Sequence, residues 1–290
     1  MPYKIFLLFL FVFLVVKGFS QDQPKPDTLE IGGVVIIREN APPPENNEKK
    51  GFLKKLNSKK NPRNISTEFL VLDIGFANYV DNTVYGSGTP ANGYAPGSNE
   101  SWMKINPIKS RNVNLWLVMQ QLNIVNHYVN FQYGIGLELN NYRYKQPIRY
   151  TAQTAPNQNA AVIQLDNTAG RTYIKNKLAT DYFTIPAMFN VNIAPNRVYA
   201  FELSAGVSVG YLYSARNKVI NSDEGKIRSR GDFDLRPWKL SYIGELNLGV
   251  LRLYGSYAFK SMYKRGLDIT PYNFGIRIKP VQLFGKIETN

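Results

Sequence analysis

The chain has one histidine, His127, and no cysteine. Those two facts bound the available chemistry. Without cysteine there are no disulfides, thiolate metal sites or cysteine nucleophiles. A serine nucleophile needs a base beside it. His127 lies in "NHY" (126–128), a short polar break between two alternating runs, and reads as a turn residue. No glycine-rich phosphate loop precedes a helix, and no cluster has metal-ligand spacing. The expectation is no catalytic residue, no metal and no cofactor. What remains is a set of charges placed singly on small, polar strand faces. They are Glu138, Glu202 and Glu245, with Lys239, Arg252, Lys260, Arg277 and Lys279. Opposite charges in a low-dielectric space pair. Such a set could brace a closed interior or line a narrow pore.

Those faces come from a period of two. In "VYAFELSAGVSVGYLY" (198–213) one set is Tyr199, Phe201, Leu203, Ala205, Val207, Val209, Tyr211 and Tyr213, all apolar or aromatic. The other is Ala200, Glu202, Ser204, Gly206, Ser208, Gly210 and Leu212, mostly small or polar. The same reading yields eight segments: 67–80, 112–124, 128–144, 181–193, 198–213, 238–250, 251–263 and 272–280. The first two are less clean. Most exceed the usual soluble-strand length of about five or six residues and suit a tilted membrane strand of about 9–11.

Connections between the segments run long, short, long, short, long, short, moderate. That is the rhythm of an up-and-down barrel with tight turns at one end. Three long loops, 81–111, 145–180 and 214–237, then lie outside and the short turns in the periplasm. A soluble sandwich also alternates. Its wet face, however, would carry a Lys/Glu/Thr mix, not Gly, Ser, Asn and lone charges. Aromatics cap both ends of the apolar stripe, Tyr199 and Phe201 below, Tyr211 and Tyr213 above; Trp238 and Tyr272 join these girdles. Tyrosine favours membrane–water interfaces. From Phe201 to Tyr211, at about 3.3 Å per residue and a tilt near 40°, the strand climbs about 25 Å, the height of the lipid-facing band. The expected fold is all-β: an eight-stranded antiparallel transmembrane barrel with an N-terminal periplasmic extension. A strand in lipid must pair every backbone group, so the sheet must close. At eight strands the interior is just wide enough for side chains to fill.

The N-terminus reads as an export signal. "IFLLFLFVFLVV" (5–16) is an apolar run of twelve, followed by small residues at Gly18 and Ser20. Twelve residues at about 1.5 Å each fall short of a core of about 30 Å, so the run is not a membrane span. The expected layout is signal peptide 1–20, a polar, Pro-rich and basic segment 21–65, the barrel 66–280 and a tail 281–290. The formal net charge is +14, and much of the excess sits in "KKGFLKKLNSKKNPRN" (49–64). That segment reads as a solvated linker or as a contact for anionic headgroups or an acidic partner. "TLEIGGVVIIREN" (28–40) could form one short strand. Expected partners are outer-membrane lipid and a periplasmic or membrane protein. Nucleic acid is not expected for an exported chain.

The run "DYFTIPAMFNVNI" (181–193) resembles the Y-x-x-I-P strand of PorT-like outer-membrane barrels, a family related in fold to OmpX-like barrels. The late glycine-aromatic strands and the ending "YNFGIRIKP" (272–280) are similar too. The resemblance covers about residues 66–280. It implies an eight-stranded barrel in the outer membrane of a Gram-negative cell, no catalytic residues, and for the family's namesake a link to protein secretion. The basic segment and the charged tail depart from the common pattern of that family.

Overall fold

The computed structural model describes residues 30–31, 34–35, 63–151, 160–197, 200–249 and 251–278. The chain divides into two units, Met1–Asn47 and Glu48–Asn290. In the first, strands β1 (Glu30–Ile31) and β2 (Val34–Val35) pair with each other antiparallel, Glu30 opposite Val35. The single strand expected in 28–40 is thus a two-strand hairpin. The expected signal peptide 1–20, most of the basic segment 49–64 and the expected tail 281–290 lie outside the described residues.

The second unit holds β3 (Ile65–Asp81), helix α1 (Pro90–Tyr94), β4 (Arg111–Val125), β5 (Val129–Arg143), β6 (Ile148–Tyr150) and β7 (Ile163–Leu165). After these come β8 (Tyr173–Asn192), β9 (Phe201–Asn221), β10 (Gly225–Arg230), β11 (Trp238–Leu248), β12 (Arg252–Ala258) and β13 (Ile269–Ile278). The main sheet runs β10-β9-β11-β12-β13-β3-β4-β5-β8, and β8 also pairs with β9. With β10 hanging from β9 as a flap, eight strands remain and close into a ring. Every pairing in the ring is antiparallel. None of the described helices is long and apolar enough to cross a membrane.

The eight segments expected from alternation each correspond to one ring strand. Three boundaries differ by more than about three residues. First, β8 starts at Tyr173, inside the expected loop 145–180. Second, β9 runs on to Asn221, inside the expected loop 214–237. A one-residue register shift explains that second miss. Tyr182 pairs with Leu212 and Asp181 with Ser214, leaving Tyr213 as an extra residue. A bulge flips the phase of every side chain beyond it, so the alternation legible to Tyr213 breaks there although the strand continues. Third, β12 ends at Ala258, well before the expected 263.

The first two segments are uneven for the same reason. Phe69 pairs with Val118 and Val71 with Trp116, so Leu70 and Leu117 are both left out of the ladder. Leu70 has φ 55°. Phe69 and Leu70 consequently both point outward.

The outer face is apolar and exposed: Phe189, Leu203, Val207, Tyr242, Phe274 and Ile276 are among its residues. The inner face is buried and polar. A small hydrophobic cluster of Val71, Trp116, Met119 and Met188 interrupts it, and the larger hydrophobic core lies at the long-loop end. There Tyr94, Met103, Ile148, Val162 and Phe233 from the loops pack with the inward residues Ala77, Tyr142, Leu178 and Ala215 of the strand ends. Tyr144, Tyr150 and Tyr263 are linked hydroxyl to hydroxyl at 2.6 Å, and Tyr94 donates to the Phe233 carbonyl at 2.6 Å. Burial pushes the Tyr263 hydroxyl up to about 12, against hydrogen bonds from Tyr150 and Tyr144. The long loops expected at 81–111, 145–180 and 214–237 therefore contribute to a cap with its own packed interior.

Candidate functional site

Alternation places one inward residue on each strand at each level, and closure aims them at a common axis. On β3 and β13 these are Asp73 and Arg277, which lie opposite each other in register. Arg277 Nε donates to Asp73 Oδ1 at 2.6 Å and its Nη2 to Oδ2 at 2.9 Å, a forked pair. Its remaining nitrogen, Nη1, pairs with Glu245 of β11. Asp73 Oδ2 also accepts from Trp116 Nε1 at 2.7 Å and Asn114 Nδ2 at 3.2 Å. Arg277 lies 5.8 Å from the Trp116 ring centre. One guanidinium thus serves two carboxylates, and one carboxylate collects four donors.

A second ion pair sits nearer the cap. Lys239 of β11 pairs with Glu138 of β5, and both are buried. Glu138 Oε1 also accepts from Asn140 at 2.9 Å and Asn273 at 3.0 Å. Lys239 Nζ stands 4.7 Å over the Tyr182 ring. Amides join the two centres. Asn112 Nδ2 donates to Asn140 Oδ1 at 2.8 Å and to Asn114 Oδ1 at 2.9 Å, while Tyr254 donates to Asn112. The connection is unbroken: Lys239, Glu138, Asn140, Asn112, Asn114, Asp73, Arg277, Glu245. The links made by its charged groups are each worth roughly twice a neutral one.

Of the charges singled out from sequence, Glu138, Lys239, Glu245 and Arg277 meet in this chain. Glu202 and Arg252 are inward at the short-turn end, flanking Asn247 in register. Glu202 accepts from Asn192 at 3.1 Å. Neither forms an ion pair among the described residues. Lys260 is a correction: it is exposed, not in the bore. The β11–β12 ladder ends at Ser241–Ala258, and after the bond from Phe259 N–H to Leu240 O the chain leaves the sheet. Lys279 lies outside the described residues.

Sequence reasoning passed over Asp73, Asn112, Asn114, Trp116, Asn140, Tyr254 and Asn273. Asp73, Asn114 and Trp116 sit close to the paired bulge at Leu70 and Leu117, where the period slips. The asparagines carried a usable signal, polar residues at every other position of 112–114 and 138–140.

Phe201, Tyr211, Tyr213 and Trp238 are exposed on the outer face, with Tyr211 and Trp238 ring centres 4.9 Å apart. Tyr272 is half-buried beside Phe274 at 6.4 Å. Tyr199 lies outside the described residues. His127 occupies the β4–β5 turn with φ 62°, its N–H donating to Asn123 Oδ1 at 2.7 Å. Among the described residues no three His, Asp or Glu come together in a group that could hold a metal.

A closed eight-strand ring, greasy outside and polar inside, is the geometry of an outer-membrane protein. The family model "Outer membrane protein beta-barrel domain" matches residues 86–264, more than half of the chain. The chain belongs to that family. No curated protein matches it. As an outer-membrane β-barrel it carries its exposed apolar belt against lipid and its buried charges in the bore. Its short turns, at Asn126–Tyr128 and around Gly249, mark one rim and its cap the other.

Proposed function

We propose that this outer-membrane barrel is a structural or interaction protein with a non-conducting bore, neither a pore nor an enzyme. One observation carries the reading: the unbroken run of hydrogen bonds and ion pairs from Lys239 to Glu245. An ion entering the bore would have to displace a partner from a buried charge, which costs several kcal/mol. The packed cap supports the same reading, since its aromatic residues sit on the inward ends of the strands. Export through a cleaved signal peptide over 1–20, in a Gram-negative cell, belongs to this proposal. So does contact of the basic segment 49–64 with anionic lipid or an acidic partner.

Purified, refolded protein in a planar bilayer tests the bore. The expected record is flat, and discrete single-channel steps would overturn the proposal in favour of a narrow solute pore. A role as a secretion accessory is favoured by one feature, the PorT-like run 181–193. Crosslinking in intact cells would bring down secretion components if that reading holds.

A further inference from the structure

Three strands rise past the apolar belt as a wall: the outer ends of β8 and β9, with β10 folded against β9. The bulge at Tyr213 turns Ser214, Arg216 and Lys218 outward and sends Ala215, Asn217 and Val219 to the cap side. The outward face is then set by register. Arg143 of β5 lies opposite Lys177 of β8, Lys177 opposite Lys218 of β9, and Lys218 opposite Arg228 of β10. Four cations stand side by side across four strands. In the next row toward the belt, Arg216 lies opposite Arg230. In the row beyond, Lys175 and Lys226 flank Ile220.

Like charges directly opposite each other destabilise a sheet. The carboxylate of the adjoining row, Asp181, takes Arg216 at 2.5 Å and leaves the rest of the excess in place. Burial, followed by the neighbouring Lys175, Lys218 and Arg216, draws the Lys177 pKa down to about 8. A surface that tolerates this repulsion is built for anions supplied from elsewhere. Its height says which anions. Phe183 of β8 lies level with Tyr211 in the aromatic girdle. From there to Lys177 the strand climbs about 15 Å, at ~3.3 Å per residue and a tilt near 40°. That is beyond the hydrocarbon, yet on the same strands whose lower parts present Val207, Val209 and Tyr211 to acyl chains.

We propose that the Arg143–Lys177–Lys218–Arg228 row and its neighbours bind the phosphorylated sugar headgroup of an outer-leaflet glycolipid whose acyl chains lie on the apolar belt below. Arginine forks match phosphate oxygens two at a time, and lysines add point charge. A free phosphate would use only the upper half of this surface. The inference rests on the long-loop rim facing outward.

The test uses the full-length protein in detergent with lipopolysaccharide bearing phosphorylated lipid A and core, and the same lipid after hydrofluoric-acid dephosphorylation. Native mass spectrometry reads the lipid retained. Retention of the phosphorylated form should exceed the other at least ten-fold and fall with salt. It should also drop at least ten-fold in the triple variant K177Q/K218Q/R228Q. These changes remove repulsion on an outer face, so the variant should keep the compact, heat-modifiable gel band of a closed barrel. Equal retention of both lipids, or equal retention by wild type and variant, would overturn the inference while leaving the barrel intact. Retention abolished by millimolar inorganic phosphate alone would also overturn it, because the acyl contact would then contribute nothing. Loss of the compact band in the wild type would strike at the barrel itself.

Discussion

Lys239 on β11 and Glu138 on β5, 101 residues apart, form an ion pair across the bore of the barrel. Both side chains are largely buried, so each charge depends on the other. Removing one partner strands the other's charge, at a cost of about 3–5 kcal/mol, whereas replacing both with apolar residues can be close to neutral. Glu138→Gln should therefore lower the unfolding midpoint in detergent strongly. The double variant Glu138→Leu with Lys239→Met should recover most of the loss. Urea titration followed by heat-modifiable gel mobility reads both. Equal damage in single and double variants would show that the pair is not the relevant unit.

Trp116 Nε1 gives Asp73 one of its four donors, at 2.7 Å. Trp116→Phe keeps an aromatic ring near Arg277 but deletes that N–H together with part of the buried ring surface. A hydrogen bond to a charged group contributes about 1.5–3 kcal/mol, and a loss in that range is expected by the same titration.

Two glycines on β9 and β11 should behave differently. A Cβ at Gly206 would meet the Ala187 carbonyl oxygen at 2.1 Å and Met188 Cα at 2.6 Å, both backbone. At Gly244 the nearest atom is Ser204 O at 3.6 Å. Overpacking costs about 1–3 kcal/mol, so Gly206→Ala should impair folding yield and stability. Gly244→Ala should change both little.

The β7–β8 connection carries an acid-sensitive clasp. Asp166 takes Arg149 at 2.8 Å and Arg171 at 2.7 Å. Burial works to raise its pKa but is outweighed by hydrogen bonds from Thr168, Tyr173 and Arg171, so the carboxyl sits well below the usual carboxylate range. A depressed folded-state pKa contributes stability above the unfolded value, near 4, and loses it as the pH falls further. Asp166→Asn should thus loosen the cap at pH 7, measured by hydrogen exchange of residues 163–176. The difference from wild type should shrink below about pH 4.

Much of the ring was legible because membrane strands must alternate, and alternation is a local property of the chain. The runs at 181–193 and 201–213 show it without interruption. Where a bulge shifts the phase, at Leu70, Leu117 and Tyr213, the signal fails although the strand does not. The site was half legible for a related reason. Charges on the small face, such as Glu138 and Arg277, stand out against their neighbours. Asp73 does not, because the period slips beside it, and the asparagines, though they alternate, gain their role only from which strands become adjacent on closure. The cap was illegible because its tyrosines come from four separate stretches and share no period.

The forked contact between Asp73 and Arg277 joins the first strand of the ring to the last. Arg277 is among the last residues of the barrel to be synthesised, so a nascent chain cut short before it would leave Asp73 with amide and indole donors but no cation. The seam therefore ties closure of the ring to charge: only when the last strand docks does the buried acid of the first gain its cation.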